Sequence, residues 1–382
     1  MVIANARPKL SGDPTSLLEL EAVALSTFGQ THDYTAALRA ADDVLALARR
    51  SGLPPPAQVI VQRGFAVLQA GDAGAEAEVR LGIGMAVTAG DLRLAMRAYA
   101  ALANLTMDVR QPIDALAVYE DGMAFAAAHG MRDDALRGSR LDALEVAGKW
   151  DEVLVEAPGL RGDALARGDA WTAFMAGVQS AGVLVQRGAT NVDLHGLILE
   201  GRSVGLPSSI GAGLGAFAAI NRGDAPAARA ILQDALDLTP EDRTIYGLVE
   251  SVWAALRLAD TGLAKALLTR AFPEDGSSRG ELTRLARAMV EQADGNHATA
   301  LELFETAHAY FETRGWVSTR ALALAGAGRS RLALGDTAAG LDLRREARAQ
   351  AAALQFELLL SEIDPVLASV AGRRDTADQL PA

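Results

Sequence analysis

The sequence predicts an all-α fold built from repeated helical hairpins. Alanine and leucine, which favour helices, dominate the 382 residues, whereas β-branched and aromatic residues are too scattered to form strands. Short turn signals also recur between apolar stretches at intervals of about 38 residues. We therefore expect a right-handed α-α solenoid of about nine helical hairpins, followed by a C-terminal capping helix.

The turn signals combine a residue that ends one helix with a residue that caps the next. Glycine accepts the left-handed conformation common at helix ends, and Asp or Asn caps the following helix through its side chain. The turns are Gln30–Asp33, Gly71-Asp72, Arg110-Gln111, Gly148-Lys149, Gly188–Asn191, Gly223-Asp224, Ala259-Asp260, Gly295-Asn296 and Gly335-Asp336.

Residue size repeats around each turn. Small residues recur eight positions before the turn, as Gly64, Ala103, Ala216, Ala288 and Gly328. Alanine recurs four positions after it, as Ala37, Ala115, Ala228, Ala264 and Ala300. Small residues allow two antiparallel helices to approach closely at their crossing, which predicts tight packing within each hairpin.

The two most regular units read GNHATALELFETA (295–307) and GDAPAARAILQDA (223–235). This pattern resembles the tetratricopeptide repeat (TPR), and the resemblance covers residues 15–355. The repeats are longer than the usual length of about 34 residues. Val153 replaces the expected alanine, and the fifth unit lacks a clear pattern, which predicts an irregularity at 150–205.

The two ends differ from the repeats. Residues 1–13 lack an apolar face and are expected to be flexible, and residues 372–382 to form a disordered tail. Residues 14–371 are expected to form a single solenoid. Its capping helix, 356–371, should cover the last repeat with Phe356, Leu359, Leu360 and Ile363, while Glu357, Glu362 and Asp364 face water.

The C-terminal stretch 308–368 begins HAYFETRGW and ends with SEIDPVLA. It resembles the end of the helical-repeat region in bacterial LuxR-type ATP-binding regulators and in adenylate cyclases linked to an AAA-type ATPase. In those families the repeats form a regulatory or sensor segment. The resemblance implies a role in bacterial signalling or transcription regulation, in keeping with an arginine-rich composition that has only three lysines.

Composition and motifs argue against several classes of function. A net charge of −12 disfavours direct nucleic-acid binding, and no stretch is apolar enough for a membrane span or a signal peptide. We expect a cytoplasmic protein without a cofactor. The five histidines lack metal-ligand spacing, and the glycines from Gly211 to Gly215 follow no strand, which favours helix packing over a nucleotide loop.

The inner face of a solenoid is its usual binding surface, and the first helix of each hairpin lines it. Residues seven positions before each turn should project there. With the neighbouring Arg97, the predicted ligand- or peptide-binding residues are Phe65, Arg97, Asn104, Asp142, Phe217 and Trp253. In peptide-binding TPR proteins, an inward Asn and nearby basic residues hold a ligand's backbone or carboxylate, as Asn104 and Arg97 would do here. Met289 and Glu145 extend the same row.

The predicted function is therefore non-catalytic binding of a protein or peptide segment, or sensing of a ligand, on the concave face. Two alternatives remain open. A self-associating scaffold, such as a homodimer, would use the apolar residues Leu17, Leu18 and Leu20 near the N-terminus. A catalytic α/α toroid would require a closed ring and a central pair of carboxylates.

Overall fold

The computed structural model describes residues 10, 12–25, 34–70, 72, 74–206, 209–238 and 247–377. Within these ranges the chain forms nineteen α-helices and no strand. The chain divides into two compact units, Met1–Ser139 and Arg140–Ala382, and the division falls inside the seventh helix.

Unit one begins with six complete helices. They are α1 (Pro14–Leu25), α2 (Tyr34–Arg50), α3 (Ala57–Gln69), α4 (Ala75–Thr88), α5 (Leu92–Val109) and α6 (Pro112–Ala128). Helix α7 (Asp134–Val146) starts in this unit.

Unit two contains the end of α7 and twelve further helices. The first six are α8 (Trp150–Ala166), α9 (Ala170–Gln186), α10 (Leu194–Ser203), α11 (Ala212–Asn221), α12 (Ala225–Leu238) and α13 (Leu248–Arg257). The last six are α14 (Thr261–Leu268), α15 (Ser278–Ala293), α16 (His297–Arg314), α17 (Val317–Ala333), α18 (Thr337–Leu354) and α19 (Glu357–Ala377).

Successive helices pack as hairpins, for example α3 with α4, α5 with α6, α15 with α16 and α17 with α18, and the C-terminal helix α19 packs against α18. The predicted all-α repeat of helical hairpins is confirmed. Two turns have the expected chemistry, whereas Asn296 makes no side-chain cap. Gly223 and Gly335 have φ values of 77° and 90°. The next residue, Asp224 or Asp336, accepts a hydrogen bond from a backbone N–H of the following helix. The predicted turn at 30–33 and Gly71 lie outside the described residues.

The small residues lie at the helix crossings, as the size pattern predicted. A Cβ on Gly64 of α3 would stand 2.6 Å from a methyl carbon of Val79 on α4. Reciprocally, a Cβ on Gly82 of α4 would stand 2.6 Å from a methyl carbon of Val61 on α3. The repeated alanines are buried, including Ala103, Ala216, Ala288, Ala115, Ala228, Ala264 and Ala300. Each hairpin is therefore tight because a larger side chain has no room at its crossing.

The glycine run near residue 213 also serves helix packing. Gly213 of α11 faces α13 so closely that a Cβ there would lie 2.4 Å from the backbone nitrogen of Ser251. Gly211 has a φ of 78° and begins the helix. This close approach also brings α11 against Glu250, the residue before Ser251.

Both ends of the chain were predicted to be irregular. Helix α19 continues to Ala377, so its backbone includes residues 372–377 of the segment predicted to be a disordered tail. Residues 378–382, and most of the predicted flexible segment 1–13, lie outside the described ranges. Between 150 and 205, where an irregularity was predicted, the chain forms α8, α9 and the ten-residue α10.

In the part of the chain that the structure describes, no helix combines the length and apolar character needed to cross a bilayer.

The crossing at Gly213 gives a direct test of helix spacing. Because the new methyl group would meet backbone atoms that cannot rotate away, Gly213→Ala should lower the free energy of unfolding by about 1–3 kcal/mol. Gly162→Ala is the matched control, since Gly162 lies in helix α8 with open space around its Cα. The control should raise stability by up to about 1 kcal/mol. Urea denaturation measures both, and equal stability of the two variants would contradict the close approach.

Candidate functional site

The predicted binding residues are divided between the two units. Phe65 lies on α3 of unit one, and Arg97 and Asn104 lie on α5, which packs beside α3. In unit two, Asp142 lies on α7, Phe217 on α11 and Trp253 on α13. All six lie on first helices of hairpins, as the repeat pattern predicted.

In unit one the predicted residues are accessible. Arg97 and Asn104 are exposed and Phe65 is half-buried. The buried Tyr119 donates a hydrogen bond from its hydroxyl group to Oδ1 of Asn104. Because Tyr119 occupies the oxygen, Asn104 can offer its two amide N–H donors to a ligand. We call the surface formed by Phe65, Arg97 and Asn104 the unit-one face.

In unit two the predicted aromatic residues are buried by the chain itself. Phe217 and Trp253 stand edge to face with ring centroids 4.7 Å apart, and Trp253 is only 5% exposed. Phe356, the residue before α19, contacts Trp253 at 5.9 Å and Trp150 at 5.3 Å. These four residues, the aromatic cluster, join the first hairpin of unit two to its last helix. Phe217 is therefore a core residue, and Trp253 is largely buried but also lines the larger pocket described below.

Backbone contacts reinforce the same junction. Arg187, just after α9, donates a hydrogen bond from Nε to the carbonyl oxygen of Leu354 at 3.3 Å. Its guanidinium group also lies over the ring of Trp150. Gly148 has no room for a side chain because Leu354 lies 2.9 Å from the position a Cβ would take. The C-terminal segment of unit two thus returns to the beginning of that unit.

The C-terminal helix therefore has contacts beyond those predicted for a capping helix. Phe356, Leu359, Leu360 and Ile363 are buried, as predicted. However, the prediction that Glu362 faces water is wrong, because its carboxylate points into unit two. It accepts hydrogen bonds from Nε1 of Trp253 at 2.8 Å, from Arg257 at 3.0 Å and from Arg329 at 2.7 Å.

These partners set the charge state of Glu362. Burial alone would raise its pKa, but the charges of Arg329 and Arg257 and the hydrogen bond from Trp253 outweigh burial and lower it. Arg344 is fully buried behind this carboxylate and donates to the backbone carbonyl of Glu362. Burial, and to a smaller degree the charge of Arg329, lowers the pKa of Arg344 to about 10.

Three carboxyl groups that lack a salt bridge lie together inside unit two. This carboxylate cluster consists of Asp142, Glu145 and Glu250. Burial raises the pKa of Asp142 to about 6, although a hydrogen bond from Gln179 opposes the shift. Burial and the charges of Asp142 and Glu250 raise the pKa of Glu145 to about 8. Glu145 therefore holds a proton at neutral pH.

The carboxylate cluster has the raised pKa values that an acid catalyst needs, but little space for a substrate. The cavity that Gln186, Glu250 and Phe217 line has a volume of about 30 Å³. That volume holds roughly one or two water molecules and no sugar ring. In the described ranges, no three His, Cys, Asp or Glu side chains, including these carboxyl groups, are placed so that together they could hold a metal ion.

A larger pocket, of about 230 Å³, lies where α13, α15, α17 and α19 meet. We call it the arginine pocket because Arg257 and Arg329 line it beside Glu362. Its remaining walls are mainly apolar and include Leu256, Met289, Phe304, Leu322 and Leu359.

Sequence reasoning placed Asp142, Glu145 and Trp253 on the inner face but missed the residues that surround them. Gln179 and Gln186 lie on α9, another first helix, and Arg257 lies one turn after Trp253 on α13, so a search along all first helices could have found them. Glu362 and Phe356 could not have been found in this way, because their helix reaches repeats far away in the sequence. The hydrogen bond between Trp253 and Glu362, for example, joins residues 109 positions apart.

No protein-family model matches this chain, and no curated protein matches it either. Among solved structures, the chain is similar to one described as "Crystal structure of APC/C hetero-tetramer Cut9-Hcn1". The TM-score is 0.52 at 12% sequence identity, over 94% of this chain and 70% of that chain. Such a low identity shows the fold alone, and with the hairpin pattern it supports a TPR-like helical repeat.

The raised pKa of Glu145 predicts a pH-dependent stability. Between the unfolded pKa near 4.5 and the folded pKa of about 8, the folded chain keeps a proton that the unfolded chain releases. Wild-type stability should therefore fall as the pH rises through this range. Glu145→Gln removes this pH-dependent loss of stability. Its free energy of unfolding should exceed that of the wild type by at least about 1 kcal/mol at pH 8.5, with little difference at pH 4.5.

Thermal denaturation at a series of pH values measures this difference. Glu302→Gln is the matched control, since Glu302 is exposed on α16. The control should follow the wild type at every pH. A Glu145→Gln curve parallel to the wild type would show that Glu145 ionises normally in the folded chain.

Proposed function

We propose that the chain is a non-catalytic module that binds a protein or peptide segment on the unit-one face. The observation that carries this proposal is the accessibility of Phe65, Arg97 and Asn104 on two adjacent first helices. The equivalent aromatic residues of unit two are covered by the C-terminal segment. The TPR-like fold supports the proposal because helical repeats commonly present extended binding surfaces.

The side chains of the unit-one face indicate which peptide would fit. Arg97 makes no hydrogen bond or ion pair to the described residues, so it can pair with a carboxylate of the partner. The amide donors of Asn104 suit a backbone carbonyl of an extended segment. Phe65 offers part of its ring to an apolar side chain. The proposed ligand is an extended peptide that carries both an acidic and an apolar residue.

The proposed setting is a cytoplasmic regulatory system of a bacterium. The support comes from the arginine-rich composition and from the resemblance of residues 308–368 to the repeat regions of bacterial regulators. The module would transmit partner binding through its repeats, with no cofactor and no direct contact to nucleic acid or membrane.

The two alternatives receive less support. Self-association was suggested by Leu17, Leu18 and Leu20, but Leu18 packs in the core of unit one with Val44 and Val59. A catalytic toroid is favoured by the carboxylate cluster, yet the adjoining cavity has only about 30 Å³.

Affinity capture tests the proposal. A bacterial lysate is passed over the immobilised wild-type chain and over the double variant Arg97→Glu, Asn104→Ala. A partner of the unit-one face should be retained by the wild type and reduced at least about tenfold on the double variant, because a charge-assisted hydrogen bond and an amide contact are lost.

The control variant is Arg50→Glu, which makes the same charge change at an exposed position on the second helix of a hairpin. It should retain the partner as the wild type does. Equal retention by all three chains, or no specific retention by any, would contradict binding at the unit-one face.

A further inference from the structure

The arginine pocket has an unusual charge balance. The guanidinium groups of Arg257 and Arg329 pair with the single carboxylate of Glu362, and the buried Arg344 behind it donates to the backbone carbonyl of Glu362. These four side chains leave a surplus of two positive charges inside the unit. Two guanidinium groups close to each other in partly buried surroundings favour a second anion nearby.

The pocket also has free hydrogen-bonding capacity. Each guanidinium group has five N–H donors. Arg329 uses one nitrogen to reach Glu362, and Arg257 uses one to reach Glu362 and Ser361. Their side chains are 47% and 33% exposed, so the remaining donors are accessible to a ligand. His297, which also lines the pocket, has a buried Nδ1 without a hydrogen-bond partner.

The walls around these groups are apolar. Met289 comes from α15, Phe304 from α16, Leu322 from α17 and Leu359 from α19. An apolar pocket with a few convergent polar groups is the usual form of a small-molecule site. Since a cavity of about 150 Å³ holds benzene, a pocket of about 230 Å³ has room for roughly nine or ten non-hydrogen atoms.

We propose that the arginine pocket binds a small amphipathic carboxylate of about ten non-hydrogen atoms, such as an aryl carboxylate. Its carboxylate would lie against Arg257 and Arg329, on the side away from Glu362. Its apolar body would pack against Met289, Phe304, Leu322 and Leu359. The proposal is independent of peptide binding at the unit-one face, since it uses none of the residues of that face.

Isothermal titration calorimetry on the full chain tests this proposal with three probes. Phenylacetate has ten non-hydrogen atoms and both required parts. Phenylacetamide has the same shape without the charge, and acetate has the charge without the apolar body. Phenylacetate should bind at least tenfold more tightly than either of the others. Equal affinity for phenylacetate and phenylacetamide, or no heat from phenylacetate at millimolar concentration, would overturn the proposal.

Variants locate the site. Arg329→Gln should weaken phenylacetate binding at least tenfold, since a charged contact is lost, and Arg257→Gln should do the same. The matched control is Arg348→Gln, because Arg348 pairs with Asp364 between α18 and α19 but does not line the pocket. The control should bind as the wild type does.

Glu362→Gln should change the affinity for phenylacetate in the opposite direction. It removes the carboxylate that competes for Arg257 and Arg329, so phenylacetate should bind several-fold more tightly. Circular dichroism checks that each variant stays helical, and the comparison of probes on the wild-type chain holds even if a variant unfolds. Binding that is unchanged in Arg329→Gln and Arg257→Gln would place phenylacetate elsewhere and overturn the assignment.

Discussion

The insertion of the C-terminal segment into unit two is the interaction on which the inner side of that unit depends. Phe356 packs between Trp150 and Trp253, and Glu362 collects hydrogen bonds from Trp253, Arg257 and Arg329. A hydrophobic contact thus lies beside an ion cluster around the largely buried carboxylate of Glu362. Removing the arginine partners would leave this carboxylate without a compensating charge.

This insertion gives the two units different capacities. In unit one the first helices leave Phe65, Arg97 and Asn104 accessible, which suits an extended peptide. In unit two the corresponding positions are occupied by the protein's own aromatic and acidic side chains. The space that remains there is a pocket with apolar walls and a positive surplus, which suits a small anion. The C-terminal helix in unit two is therefore the physical basis for proposing two different kinds of recognition in one repeat architecture.

The fold could be predicted from the sequence because its determinants are local. Gly64 and Ala216 mark helix crossings by their size, and Asp224 and Asp336 mark helix starts by their hydrogen-bonding side chains. The site could be predicted only in part. Trp253 was placed on the correct helix, but its burial depends on Phe356. The periodicity within one repeat does not show that a residue about 100 positions later in the sequence packs against it.

Hydrogen–deuterium exchange of the wild-type chain and of Phe356→Ala tests the closing role of the C-terminal segment most directly. If Phe356 joins the last helix to the first hairpin of unit two, exchange should become faster both in α19 and in two distant regions. These are residues 142–150, from the end of α7 to the start of α8, and residues 179–187, at the end of α9. Faster exchange confined to residues 355–377 would contradict this account, because the segment would then cover only its immediate neighbours.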